Sequence, residues 1–247
     1  MNKLLLGVVG LVAMGVAAPA IAADLPARTY TKAPVMIPAV YDWSGFYTGI
    51  NGGWGTEHRC FDTSVGGVVG VADGCHSSSG GVAGGQFGYR WQNSSWVYGI
   101  EAQGDWAGLR GSSVSLTAPA NTDRSRMDAF GLFTGQIGYA WNTTLLYVKG
   151  GAAVVADRND ILTAGVVTAT ASGDNRWGGT IGAGLEFSFA PNRSVAVEYD
   201  HLFIPDATAT FNTPAGTVFA TDRIRGDADL VTARVNYRWG GPIIAKY

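Results

Sequence analysis

From Trp43 onward the chain alternates apolar and polar residues with a period of two, the repeat that sends successive side chains to opposite faces of a strand. In WVYGIEAQGDW, Trp96, Tyr98, Ile100, Ala102 and Trp106 share one face, and Glu101, Gln103 and Asp105 share the other. A helix would scatter that set around its circumference. In VAVEYDH, Val195, Val197 and Tyr199 oppose Glu198 and Asp200; in VTARVNYRW, Val231, Ala233, Val235, Tyr237 and Trp239 oppose Arg234, Asn236 and Arg238. The pattern predicts eight antiparallel strands, near 44–56, 80–91, 96–107, 125–141, 144–156, 177–189, 194–203 and 227–239. The weakest is LLYVKGGAAVV: Leu146, Val148 and Val154 take the apolar face with Lys149 opposite, while Leu145 and Tyr147 blur the contrast.

The connections alternate in length. QNSS, WNTT and APNR are tight turns, whereas 57–79, 108–124, 157–176 and 204–226 read as long loops rich in Gly, Ser, Thr, Asp and Asn. An even number of such strands, with short turns at one end and long loops at the other, is the pattern of an all-β, eight-stranded antiparallel transmembrane barrel of the outer-membrane type. Loops of this length inside a compact soluble domain would count against the assignment. Tryptophans, which prefer membrane interfaces, segregate accordingly: Trp43, Trp91, Trp96, Trp141 and Trp239 at the turn side, Trp54, Trp106 and Trp177 at the loop side. They are expected to form two aromatic belts. A soluble ligand-carrying barrel would show the opposite parity, apolar inside and charged outside.

The first residues change the picture of where such a barrel would be. Met-Asn-Lys followed by LLLGVVGLVAMGVAAPAIAA has the basic start, apolar core and A-x-A cut of a secretory signal peptide. The expected organisation is a signal peptide at 1–23, a periplasmic linker at 24–42 stiffened by Pro26, Pro34 and Pro38, and an outer-membrane barrel at 43–247. With 36 glycines, 11% aromatic and only 15% charged residues, the chain is poor in charge for a soluble domain. It also lacks, after the signal, a run near the ~20 apolar residues a spanning helix needs. The net charge of −2 gives no reason to expect a nucleic-acid partner. The expected partners are outer-membrane lipid and lipopolysaccharide, with an extracellular ligand on the long loops left open.

Cys60 and Cys75 are the only cysteines and belong to an exported chain, so a disulfide is expected. In the chain-entropy picture a loop of this size is worth about 3 kcal/mol. His58 and His76 stand beside them, but the spacing is not that of a zinc site. Arg90, Lys149, Arg234 and Arg238 share the inward parity with Glu101, Asp105, Glu186, Glu198 and Asp200. A lumen of eight strands is just wide enough for side chains to fill, and charges buried there must pair. They are therefore expected to form a plug and not a catalytic cleft. His201 holds a lipid-facing position near the loop side; acting as a base there would need a hydroxyl nucleophile or a carboxylate in reach, and its near neighbours on the same strand are Tyr199 and Phe203. Stretches such as GGVAGGQFG are not phosphate loops, since no Lys-Ser/Thr or helix follows. No catalytic residue, cofactor or metal ligand is expected.

The segments YDWSGFYTGINGGWG, GGQFGYRW, GTIGAGLEFSFAPNRSVAVEY and NYRWGGPIIAKY, in that order, and the leader AADLPAR resemble the small outer-membrane β-barrel proteins of alphaproteobacteria. These are the outer-membrane immunogenic or porin-family proteins related to the OmpA-type transmembrane barrel. The resemblance covers nearly all of the chain after the signal. It implies an eight-stranded barrel and roles that range over envelope integrity, surface antigenicity, haemin binding and modest porin activity. The chain departs from the pattern at Thr134 and Gln136, where similar proteins often carry inward basic residues, and at Trp239, which replaces a usual Phe. The function expected is a non-enzymatic structural or surface-interaction role in the cell envelope, with a small diffusion pore and a loop-borne haemin receptor as alternatives.

Overall fold

Eight strands follow one another in the computed structural model, which describes residues 41–65 and 68–239. They are β1 (Gly45–Val65), β2 (Val68–Asn93), β3 (Trp96–Val114), β4 (Asn121–Trp141), β5 (Thr144–Thr163), β6 (Val166–Ala190), β7 (Arg193–Asn212) and β8 (Val218–Arg238). Each pairs antiparallel with the next, and β1 closes on β8 from Tyr47 opposite Arg238 to Thr63 opposite Asp222. The result is a closed barrel. The expected signal peptide (1–23), all but the last two residues of the expected linker (24–42) and residues 240–247 lie outside the described residues.

Side-chain parity sorts the sequence as a membrane wall requires. On β3 exposed and buried positions alternate without a break from Trp96 to Arg110. Phe46, Ile50, Phe87, Ile100, Phe133, Leu185, Val197 and Val235 stand exposed on the outer surface, which only a lipid solvent makes favourable. Leu146 and Val148 join them, while Leu145 and Tyr147 turn inward beside Lys149. Trp96 and Trp106 mark the two edges of this band. At ~3.3 Å per residue and a tilt near 40°, the ten residues between them span about 25 Å, the height of an outer-membrane apolar band.

The strands outrun that band. They are 19 to 26 residues long, whereas roughly 9–11 suffice to cross. The segments expected as long loops, 57–79, 108–124, 157–176 and 204–226, are therefore mostly ladder. Only 115–120, 164–165 and 213–217 are non-strand among their described residues. The physical reason is that beyond lipid the outer face no longer has to be apolar, so period-two contrast disappears while backbone pairing continues. The former loop 157–176 turns in two residues, Ala164 and Gly165, both with positive φ, as a type I′ hairpin requires.

One tryptophan also departs from the expected belts. Trp54, Trp91, Trp96, Trp106, Trp141, Trp177 and Trp239 face outward, but Trp43 is 1% exposed. It precedes β1 and folds under the barrel, where its indole N–H donates to Asn142 O at 3.2 Å and its ring packs among Val97, Ala140, Leu145 and Tyr147. A residue outside the ladder is not bound by its alternation, and the lumen end offered it both a carbonyl and apolar neighbours.

Cys60 and Cys75 form a disulfide between directly opposed positions of β1 and β2, with Cα atoms 4.1 Å apart. It lies on the outward face beyond Trp54, on paired strands, where an open loop was expected. In the chain-entropy picture the bridge acts by restricting the unfolded chain, so its contribution is set by the loop it closes, about 3 kcal/mol, while the ladder holds the folded strands without it. The double variant Cys60→Ser/Cys75→Ser should therefore keep the barrel and lower its urea-unfolding free energy in detergent by up to about 3 kcal/mol. Collapse of the β-sheet circular-dichroism signal would contradict this.

Candidate functional site in the barrel interior

The inward positions form layers stacked along the barrel axis. At the turn end, Trp43, Val97, Ala140, Leu145 and Tyr147 make an apolar cap. Above it lies the charged layer. Arg234 bridges two acids: Nη2 and Nη1 reach Glu101 at 3.0 and 3.2 Å, and Nη1 reaches Glu198 at 2.6 Å. Lys149 reaches Glu198 at 2.6 Å, Asp200 at 3.2 Å and Glu101 at 3.4 Å. Two cations thus face three carboxylates, all of them buried. Arg90 pairs with Glu186 at 2.8 Å, and its guanidinium lies 4.3 Å from the ring centre of Tyr47.

Polar residues join these two groups. Arg90 donates to Gln136 Oε1 at 3.4 Å, Gln136 Nε2 donates to the Tyr47 hydroxyl at 2.7 Å, and that hydroxyl donates to Glu101 at 2.7 Å. Tyr147 donates to Glu198 at 2.6 Å, and Gln103 accepts from both Lys149 and Arg234. Room for the Tyr47 ring comes from Gly88, where an added Cβ would stand 2.5 Å from the Tyr47 oxygen.

Two of the nine expected charges form no ion pair among the described residues. Asp105 accepts from Gln103 Nε2 at 2.8 Å and has no ion pair among the described residues. It lies at the edge of the apolar layer, its carboxylate reached by an amide and not by a base. Arg238, four residues from Arg234 along β8, ends at the turn-side mouth, where it donates to Pro191 O at 2.9 Å and covers the Tyr41 ring at 4.6 Å. The neutral connectors Tyr47, Gln103, Gln136 and Tyr147 were not expected as members of the network, although the sequence had placed Gln103 and Gln136 on the inward side. All four share the inward parity, and that was the available signal.

Above the charged layer comes an apolar one containing Val82, Leu109, Met127, Phe130, Leu132, Val155, Leu202 and Leu230. Its leucines are fully buried. Beyond it, outside the lipid band, Arg59 pairs with Glu57 and with Asp157 at 3.0 Å, and Arg176 reaches Asp157 at 3.3 Å. A third apolar cluster, Phe61, Ile161, Ala169, Phe211 and Ile224, follows. Asp73, Asp123 and Asp222 lie at the distal mouth, where Ser115 and the Thr117 N–H bind Asp73. Burial, helped by the neighbouring charges of Asp73 and Asp222, pushes the Asp123 carboxyl up to about 7.

His201 sits on the outer wall of β7. Its Nδ1 lies 2.8 Å from Asp229, which also accepts from the Tyr199 hydroxyl at 2.6 Å, and its Nε2 lies 4.0 Å from Asp227. The carboxylates come from β8, a neighbour that the single-strand reading did not reach. Both ring nitrogens face acids, and among the described residues no hydroxyl nucleophile hydrogen-bonds to the imidazole.

Two tests follow from this interior. Arg234→Met should cost about 3–5 kcal/mol in urea unfolding in detergent, because it strands buried carboxylates. Adding Glu101→Gln should cost less than the sum of the two single changes, and Arg238→Gln should cost least. The mouth should respond to pH. A carboxyl whose folded pKa is raised favours the folded state while protonated, so that contribution is lost as pH rises from about 4 towards the folded value of about 7. Amide exchange near 121–127, corrected for intrinsic rate, should then be less protected at pH 8 than at pH 5, and Asp123→Asn should remove the difference.

No curated protein matches the sequence significantly. Among solved structures, the outer membrane protease OmpT from Escherichia coli aligns at 10% identity over 79% of this chain and 97% of its own, with a TM-score of 0.49. OprG from Pseudomonas aeruginosa aligns at 12% identity over 79% and 97%, TM-score 0.47, and Ail of Yersinia pestis at 14% over 78% and 99%, TM-score 0.37. Residues 8–238 match the outer membrane protein beta-barrel domain, and the chain belongs to that family of the bacterial outer membrane.

Proposed function

We propose that this protein is a non-enzymatic, non-conducting barrel that anchors a tall, polar external wall in the outer membrane, with a structural or surface-interaction role. The single observation that carries the reading is the fully buried apolar layer around Leu109, Met127, Leu132, Leu202 and Leu230, which lies across the lumen between two ion-paired layers. An ion crossing it would have to shed its hydration without a polar partner, at a cost far above thermal energy. The paired layers add to the obstruction, since their charges are engaged with each other.

The distal end faces outward in this reading and the three short turns face the periplasm, the usual arrangement of such barrels. Delivery by a cleaved signal peptide at 1–23 and membership of the alphaproteobacterial immunogenic branch belong to the same proposal. The lipid-facing band makes outer-membrane lipid and lipopolysaccharide its immediate partners. A haemin receptor built on long loops has less support, because most of those segments pair as strands.

Planar-bilayer recording of the refolded protein tests the reading. The wild type should give no steady channel, and Lys149→Ala should remain closed, because the apolar layer is untouched. Large, steady wild-type currents would replace this proposal with a diffusion pore.

A further inference from the structure

Beyond the outer tryptophan belt the wall carries an uneven distribution of charge. Arg110 of β3 stands directly opposite Arg126 of β4, which stands directly opposite Arg158 of β5. All three point outward, since the residues beside them in sequence, Leu109, Met127 and Asp157, are buried in the lumen. Arg124, exposed on the same face, adds a fourth guanidinium one step further on. Only Arg126 has a carboxylate partner among the described residues, Asp160 at 2.8 Å. Asp160, itself buried, stands directly opposite Arg124, and Asp128 is exposed on this face.

Side chains opposed across a ladder have Cβ atoms roughly 5 Å apart, and like charges in that arrangement destabilise the pairing. Three arginines abreast are therefore a cost that Asp160, paired with the middle one, offsets only in part. On the β7–β8 side, by contrast, the exposed Arg223 and Arg225 pair with Asp206 and Asp62, and Asp227 and Asp229 add outward acids. Among the described residues the excess of positive charge is thus local to β3–β5.

Its height identifies what it meets. Arg110 is four residues past Trp106, and Arg158 is four past Val154, which stands opposite Trp177. Both place the row about 10 Å beyond the belt, given the rise and tilt of barrel strands. The guanidinium forks face sideways from the wall at that level. They therefore meet the headgroups of neighbouring outer-leaflet lipid, and not a partner descending on the barrel's tip. Guanidinium and phosphate match in geometry and charge.

We propose that Arg110, Arg126 and Arg158, with Arg124, form a docking site for the phosphorylated headgroups of lipopolysaccharide. This rests on the reading above that the distal end is external. The site would seat one phosphate-bearing headgroup against β3–β5 and relieve the repulsion within the row.

The test uses the refolded full barrel in uncharged detergent, titrated with purified lipopolysaccharide and followed by native mass spectrometry. Wild type should hold lipopolysaccharide, and Arg110→Gln/Arg158→Gln, which removes exposed arginines without an acid partner, should bind it about tenfold more weakly. Dephosphorylated lipopolysaccharide should bind wild type as weakly as the intact form binds the variant, and inorganic phosphate alone should not compete at matched concentration. Arg193→Gln, at the opposite end, should bind normally. Circular dichroism confirms that each variant keeps its barrel. Equal binding by wild type and variant, or indifference to phosphate removal, would overturn the proposal. Preference of the row for heparin, with lipopolysaccharide unaffected, would assign it to a sulfated polysaccharide instead. Bilayer conductance of the same samples keeps the two readings separable: a conducting wild type that loses lipopolysaccharide with the arginines would sink the closed-barrel function and leave the docking site standing.

Discussion

In hydrocarbon no water is present to satisfy a backbone N–H or C=O, so a strand can cross only if both of its edges are paired. The contact between β1 and β8 meets that demand for the whole molecule, because it removes the last two edges and turns a sheet into a ring. The rest follows from closure. Eight strands in a ring leave an interior about one side-chain layer deep from each wall, so whatever points inward must pack or pair with what comes from the opposite strands.

The interior answers this in alternating layers. Where it is charged, bases from β5 and β8 meet acids from β3 and β7 across the lumen, and neutral tyrosine and amide groups add hydrogen bonds to the same carboxylates and to one another. Where it is apolar, leucines and a methionine pack as in a soluble core. The combination explains how a tube of backbone can be a solid plug. It also connects packing to function, since a lumen filled in this way supports an anchor better than a conduit.

The outside of the same wall changes solvent along its length. Apolar side chains cover the lower half of the strands, tryptophans mark the edges, and above them the surface becomes polar, disulfide-linked and charged. The arginine row of β3–β5 and the acid-bearing face of β7–β8 lie beyond the tryptophan edge of the apolar band. A barrel so shaped presents laterally distinct surfaces around its circumference.

The strand count, the closed all-β class, the inward set of charges and the three tight turns were legible in the sequence, because within lipid the two faces of each strand meet opposite solvents and must differ at every step. That contrast is a local property, and reading Val195, Glu198 and Val197 in order is enough to find it. It fails where the environment stops enforcing it. The upper strands looked like loops because both of their neighbourhoods are polar, and Trp43 looked like a belt residue because its position just before the ladder gave no sign that it folds inward. Which acid meets which base, the lack of an ion pair at Asp105 and Arg238 among the described residues, the His201–Asp229 pair and the alignment of Arg110, Arg126 and Arg158 depend on register between strands, with contacts between residues as far as 133 apart in sequence. Parity along one strand assigns a residue to a face; only the closed ring, by fixing tilt and stagger, decides which residues of other strands share its level.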